Sequence, residues 1–376
     1  MADTLTEFRS ATKDLKVAIV ADWLASPGGA EKVVAAIAGL FPDAPIFTTI
    51  YNPDKVTQFK DRDVRTTWLQ KMPLALTKHQ LYIALMPRAI RSLDLSDYDL
   101  VITSSHTIAH GVRIGSNTLH ICYCHTPVRW AWVPEIDDLA KRIKIGFLSR
   151  WIVRYFKKWD LANIKSVDTF IANSKYIRER IKKFYKRDAE VIYPPVNTDY
   201  FKPRTKIVKD SYFLCAGRLI PYKKFDLAIE AFNQLGLPLK VVGTGPEMDR
   251  LKALAKSNIE FTGYVTDKQL KEYYRHAQAF IFGALEDFGI VPVEAMSAGT
   301  PVIAYGEGGA TETVIPGLSG VLFPKQTPES LVTAVKQFQK LQFDSNKIIA
   351  WSETFSEQRF NHEMMQVVID RIKAKR

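Results

Sequence analysis

Two glutamates, Glu286 and Glu294, flank an apolar run in "GALEDFGIVPVEAMSAGTPVIA" (283–304), with seven residues between them that include Gly289 and Pro292. The preceding "AFIFGAL" is strand-like, Pro292 suits the first turn of a helix, and "VEAMSAG" continues that helix to Gly299. Residues 287–291 then present free backbone N–H groups at a helix N-terminus, a place that favours an anion such as a diphosphate. The carboxylates themselves repel phosphate, but each can accept two hydrogen bonds from a pair of sugar hydroxyls. One acid for each sugar is the economical reading; two surface acids beside a helix start is the plain alternative.

Positive charge for a phosphate is available in "CAGRLIPYKKFDLAIEAF" (215–232). Gly217 turns the chain after a strand, Arg218 stands beside the turn, and Lys223 comes just before a helix. A planar fork of donors and a mobile point charge together suit a departing diphosphate.

These residues need elements to hold them. "KVAIVADWL" (16–24) reads as a buried strand after a polar N-terminal tail, "SPGG" as a turn and "AEKVVAAIAGLF" as an amphipathic helix. Further buried strands are expected at "IFTTIY" (46–51), "DLVITSS" (99–105), "LHICYCH" (119–125) and "TFIANS" (169–174). Prolines 194, 195 and 203 then interrupt regular structure, and a second alternating series follows: "YFLCAGRL", "LKVVGTGP", "IEFTGYV", "AFIFGAL", "PVIAYGEGG" and "GVLFP". Alternation of this kind implies two α/β halves, each a parallel sheet wrapped by helices, assigned to residues 1–200 and 201–350. The closing stretch, 351–376, reads as a C-terminal helix that packs back towards the first half. Ligands of open parallel sheets bind beyond the carboxyl ends of the strands, so the motifs are expected to gather in the cleft between the two halves.

At 376 residues, with 47% hydrophobic and 24% charged residues, the chain has ordinary globular composition and enough length for two cores. Its apolar runs fall short of the roughly 18 residues that suggest a membrane span, and "MADTLTEFRSATKDLK" lacks the apolar core of a secretory signal. Three cysteines, Cys122, Cys124 and Cys215, suit a reducing cytoplasm better than a disulfide framework. Between Lys141 and Arg187 there are 15 Lys and Arg against three acids, a local excess equal to the whole chain's +12. One positive face follows, rather than a general affinity for polyanions. Within it, "KRIKIGFLSRWIVRYFKKWDLANIKS" interleaves cations with Phe147, Trp151, Tyr155, Phe156 and Trp159, the pattern of a helix lying in an anionic membrane interface. A core-facing helix with a charged outer side accounts for the aromatics equally well.

The set "GRLIPYKKFD", "VVGTGP", "FTGYV" and "LEDFGIVPVEAMSAGTPVIAYGEGGATETV" resembles the donor-binding half of family 4 retaining glycosyltransferases of the GT-B fold, and "ADWLASPGGAEKV", "SSH" and "YCHTPVRWAW" extend the likeness to the first half. The nearest resemblance is to bacterial mannosyltransferases that build polysaccharides and O-antigens. It implies two Rossmann-like domains facing across a cleft. It gives Glu294 to the nucleotide ribose, Glu286 to the donor sugar's hydroxyls, Arg218 and Lys223 to the diphosphate, and the N–H groups of Phe288, Gly289 and Ile290 to the sugar and phosphate. Gly263 and Val265 would line the nucleobase pocket, and Gly28 and Gly29 would let the backbone approach the diphosphate. His125 corresponds to the family's active-site histidine, with His106 and Arg129 on the acceptor side.

The expected reaction moves a hexose, mannose from GDP-mannose, to a lipid-linked or saccharide acceptor with retention, at the inner face of the cell membrane. It needs no metal and no cofactor, the nucleotide sugar being a substrate. "CYCH" offers too few ligands for a metal site, and "DRD" (61–63) and "DYD" (97–99) read as surface turns. A UDP-sugar donor is the first alternative. A nucleotide-dependent oxidoreductase or epimerase is the second, weakened by the lack of a compact GxGxxG in the first loop. Nucleic acid is not an expected partner, because that reading leaves Glu286 and Arg218 unused.

Overall fold

A computed structural model describes residues 2–133, 146–205 and 208–375, with the side chains of 2 and 146–150 left aside. The chain divides into two compact units, one made of Met1–Pro195 with Gln358–Arg376 and the other of Val196–Glu357.

The first unit contains β1 (Val17–Ala21), β2 (Ile46–Thr48), β3 (Val64–Thr66), β4 (Asp94–Leu95), β5 (Leu100–Ser105), β6 (Arg113–Ile114), β7 (Leu119–Cys124), β8 (Thr169–Ala172) and β9 (Ala189–Val191). Among the described residues, seven of these form one sheet in the order β3-β2-β1-β5-β7-β8-β9, with every neighbouring pair parallel. β5 and β7 are buried along their whole length, as continuous apolar runs covered by helices on both faces must be. Helix Gly29–Leu40 packs Val33, Val34 and Ile37 on one face of this sheet, and Phe360, Met364 and Val368 of helix Glu357–Lys375 join the same core. The closing stretch is two helices, Ser345–Ser352 and Glu357–Lys375, and the second completes the first unit.

The N-terminal segment differs from its expected reading as a polar tail. Ala2–Thr12 is helical, and Phe8, only 2% exposed, sits edge-on to Phe41. A single buried aromatic anchors a helix whose other residues are mostly polar, which leaves little periodicity to detect.

The second unit contains β10 (Phe213–Ala216), β11 (Leu239–Val242), β12 (Ile259–Gly263), β13 (Phe280–Phe282), β14 (Val302–Tyr305) and β15 (Gly320–Phe323). They form a six-stranded parallel sheet in the order β12-β11-β10-β13-β14-β15. The order reverses at β10: the chain runs outward through β11 to β12, then returns to β13 on the other side. In open α/β sheets such a reversal opens a crevice at the carboxyl ends of the strands.

Candidate active site

In the second unit, the sequence motifs converge on that carboxyl edge. Gly217, Gly243 and Gly263 end three adjacent strands, and all three have positive φ. They are linked by Gly217 N–H donating to the Val242 carbonyl at 3.0 Å and Gly243 N–H to the Gly263 carbonyl at 2.8 Å. A Cβ on Gly243 would lie 2.0 Å from the Gly217 carbonyl oxygen, so this close approach of backbones requires glycine. Arg218 follows the turn with its side chain exposed. Lys223 closes a short 3-10 turn, Pro221–Lys223, immediately before helix Phe225–Leu235. Val265, half-buried, follows β12 at the same sheet edge.

Across the reversal point, β13 leads into the acidic loop. Gly289, at φ 89°, caps helix Ile290–Ser297, and Pro292 lies in its first turn. The helix stops at Ser297, two residues before Gly299, whose φ of 76° ends it in the left-handed region. Neither glutamate is a solvated surface acid. Glu294 is 6% exposed and lies beside the buried Tyr274 phenol, which burial and this neighbour push well above its ordinary pKa. Glu286 forms an ion pair with Lys223, the two side chains being 17% and 16% exposed. Thus the residue assigned to sugar hydroxyls and one assigned to diphosphate meet each other. Phe288 and Gly289 are buried and Ile290 half-buried at the helix start.

The loop after β14 fixes this geometry, a role absent from the sequence reading. Gly309 N–H donates to the Glu286 carbonyl at 2.9 Å. A Cβ on Gly309 would fall 2.2 Å from Phe288 Cα, and one on Gly308 would fall 2.4 Å from the Glu286 carbonyl oxygen. "GEGG" is therefore the surface on which the acidic loop rests.

The first unit builds a separate constellation by the same device. Asp22, His106 and His125 directly follow β1, β5 and β7, neighbours in the sheet. His125 N–H donates to the Ser105 carbonyl at 2.8 Å, and its Nε2 lies 2.8 Å from Ser104 Oγ. Burial, helped by the charge of His106, pushes the His125 pKa down to about 3, so its imidazole is neutral near pH 7. The His106 ring lies 6.3 Å from that of His125 and 4.5 Å from that of Trp23, which also lies tilted against His79 at 5.0 Å. Arg129 opens the short helix Arg129–Trp132, close enough to repel a charged His106.

Gly28 caps helix Gly29–Leu40 in an extended conformation, and a Cβ there would meet Glu31 Oε2 at 2.8 Å. The Glu31 carboxyl, 7% exposed, takes up the space beside Gly28, and burial raises its pKa. Neither Asp22 nor Glu31 was singled out from the sequence. An acid at the end of a buried strand, in "ADWL", was the available signal for the first.

Part of the basic segment 141–187, residues 141–145, lies outside the described residues, as does 134–140. Helix Gly146–Asn163 follows, and the edge of the core divides its described aromatics. Phe156 and Trp159 are buried at 0% and 9% exposure, whereas Trp151 and Tyr155 stay exposed and stack on each other. Successive helical positions differ by about 100°, so 151, 155, 159 and 156 fall in that order along one arc of the helix, and the edge of the core crosses it between 155 and 159. Asp160 anchors the helix from within, accepting from Trp132 Nε1 at 2.6 Å and Tyr185 OH at 2.8 Å. Cys122 and Cys124 are buried free thiols of β7, and burial pushes Cys122 to about 12. Among the described residues no cluster of His, Cys, Asp and Glu could hold a metal ion, and no helix is long and apolar enough to cross a membrane.

Comparison with known proteins matches residues 27–200 to "Glycosyltransferase Family 4" and residues 196–353 to "Glycosyl transferases group 1". The chain is 27% identical over 321 residues to a GDP-mannose-dependent alpha-(1-6)-phosphatidylinositol monomannoside mannosyltransferase of Mycobacterium tuberculosis, covering 77% of this chain and 70% of the relative. A Streptomyces bingchenggensis D-inositol 3-phosphate glycosyltransferase is 31% identical over 199 residues, 44% of each chain. Among solved structures, Anabaena Alr3699/HepE in complex with UDP superposes with a TM-score of 0.70 at 19% identity, over 94% of this chain and 99% of that one. The two family matches follow one another along the chain and correspond to its two sheets: this is a GT-B-fold glycosyltransferase, family 4 in its first half and group 1 in its second.

Proposed function

We propose that the protein transfers a hexose, mannose from GDP-mannose, to a lipid-linked saccharide acceptor with retention of anomeric configuration. The observation that carries this is the convergence of Arg218, Lys223, Glu286 and the Ile290–Ser297 helix N-terminus at the reversal point of one sheet. Cations, main-chain donors and a hydroxyl-binding acid at one crevice suit a nucleoside diphosphate carrying a sugar. The preference for mannose draws on the mannosyltransferase relative, which is similar over most of both chains.

In this scheme the bond between the anomeric carbon and the β-phosphate oxygen breaks, and a bond to the acceptor oxygen forms on the same face. The leaving phosphate accepts the acceptor's proton. Arg218, Lys223 and the N–H groups of Phe288, Gly289 and Ile290 stabilise the developing negative charge, so the scheme calls on no metal ion. Glu294 holds the ribose, Glu286 the sugar hydroxyls, and Gly263 with Val265 the base. His125, neutral, contacts the sugar near the reacting carbon; His106 and Arg129 serve the acceptor. Gly28 and Gly29 approach the diphosphate in this scheme, for which the Glu31 carboxyl beside Gly28 must be protonated or give way.

The acceptor's lipid places the enzyme at an anionic membrane surface, with the cations of 146–187 and the exposed Trp151 and Tyr155 in contact with it at the cytoplasmic face. The test is a panel of GDP- and UDP-sugars screened by thermal shift, then assayed for turnover with polyprenyl-diphosphate saccharides. Stabilisation and turnover are expected with GDP-mannose. Preference for a UDP-sugar would overturn the donor, and absence of any nucleotide-sugar effect would overturn the reading.

A further inference from the structure

Asp22 is a fully buried carboxylate in an unusual cage. Its Oδ1 accepts from the backbone N–H groups of Ile108 and Ala109, both at 2.6 Å. Its Oδ2 accepts from the N–H groups of His106 at 2.6 Å and Thr107 at 3.0 Å, and contacts His106 Nδ1. One side chain therefore satisfies four consecutive N–H groups of the loop after β5 and binds the ring that the loop carries. Burial alone would raise the Asp22 pKa, but the charge and hydrogen bonds of His106 and the loop outweigh it and hold the group ionised. The ring is the only part of this assembly that faces outward, its side chain being 31% exposed against 0% for Asp22.

We propose that Asp22 is a positioning residue for glycosyl transfer: it holds Nδ1–H of His106 inward and so presents Nε2 at a fixed place to the acceptor. This rests on the function proposed above and adds to it the residue that orients the acceptor side. An imidazole bound through one nitrogen to a carboxylate has its tautomer and rotation decided, and only the other nitrogen is available to a substrate. The groups facing His106 are Asp22 after β1, Glu31 on helix Gly29–Leu40, His79 on the 3-10 turn His79–Leu85, Arg129, and His125 after β7. Asp22 and Glu31 favour the imidazolium, Arg129 opposes it, and the net direction of the His106 pKa is upward despite burial. His79 is pushed down to about 4 and His125 to about 3, so neither competes for that role near neutral pH. His106 thus offers an Nε2–H donor over a wider range than an ordinary histidine of pKa about 6.5.

The test uses the full-length protein. In wild type, 15N NMR of labelled histidine, assigned with His106→Gln, should show Nδ1–H in the neutral tautomer and a pKa above the ordinary value; the opposite tautomer or a lowered pKa would overturn the proposal without any change at Asp22. In Asp22→Asn, isosteric with the native side chain, transfer kcat should fall about a hundredfold with donor KM within about twofold. The pH limb assigned to His106 should move down, and Asp22→Asn/His106→Gln should be no slower than His106→Gln. A folded Asp22→Asn protein with a wild-type rate and pH profile would refute the role. If nucleotide-sugar binding is also lost from wild type, the functional reading fails; if it persists while these signatures are absent, the positioning role alone fails.

Discussion

Lys223 and Glu286, 63 residues apart in sequence, form an ion pair at the point where the second sheet reverses its strand order. The lysine comes from the turn after β10 and the glutamate from the loop after β13, which are adjacent strands. Neither charge is far from water, yet neither is free of its partner. Under the roles proposed above, an incoming diphosphate and sugar would engage the two as a unit, the phosphate drawing on the ammonium and the hydroxyls on the carboxylate.

Lys223→Ala should lower kcat/KM for the nucleotide sugar by about a hundredfold or more. It should also destabilise the second unit, because it leaves the part-buried Glu286 carboxylate without its ion-pair partner. Adding Glu286→Ala should restore much of the thermal stability and none of the activity. Steady-state kinetics and calorimetry on the single and double variants measure both effects; activity recovered along with stability would mean that the pair is structural only.

His125→Ala should reduce transfer by more than tenfold while nucleotide affinity stays within about threefold. Parallel loss of turnover and binding, measured by titration calorimetry with the nucleoside diphosphate, would assign the residue to binding instead.

Gly309→Ala should displace the acidic loop, since the new methyl would overlap Phe288 Cα. A cost of about 1–3 kcal/mol in the second unit is expected, with weakened donor binding. The change leaves every charged residue in place, so a donor KM equal to wild type would show that the loop can shift without consequence.

Stability should fall on acidification below about pH 6.5. His79 and His120 are pushed down to about 4, and His125 to about 3, in each case first by burial. Below the unfolded-state pKa the unfolded chain takes up protons that these folded-state rings refuse, so the stability present above that pH is lost progressively towards pH 3. His120→Gln, which keeps a polar group near Thr103, should flatten the dependence of Tm on pH between 6.5 and 4.5; an unchanged slope would remove His120 from the account.

Trp151→Ser with Tyr155→Ser should cut partitioning onto anionic vesicles severalfold and leave turnover of a water-soluble acceptor unaltered. Both side chains are exposed, so Tm should move little. Vesicle binding equal to wild type would take the membrane contact away from this helix.

Much of the architecture is a local property of the chain. Short apolar runs such as "DLVITSS" and "LHICYCH" read as strands buried on both faces, and their alternation with amphipathic helices implies parallel sheets. Gly289 and Pro292 mark a helix start for a similarly local reason, since glycine alone readily takes the left-handed cap conformation and proline fixes φ at a helical value. The pairing of Lys223 with Glu286, the cage of loop N–H groups around Asp22, and the seat that Gly308 and Gly309 provide for the acidic loop follow instead from which strands lie side by side. Strand order is decided by packing over tens of residues, and a one-dimensional pattern does not carry it. The division of helix Gly146–Asn163 into buried Phe156 and Trp159 and exposed Trp151 and Tyr155 was likewise settled by the tertiary fold, because periodicity places all four on one arc of the helix but does not say where along that arc the core ends.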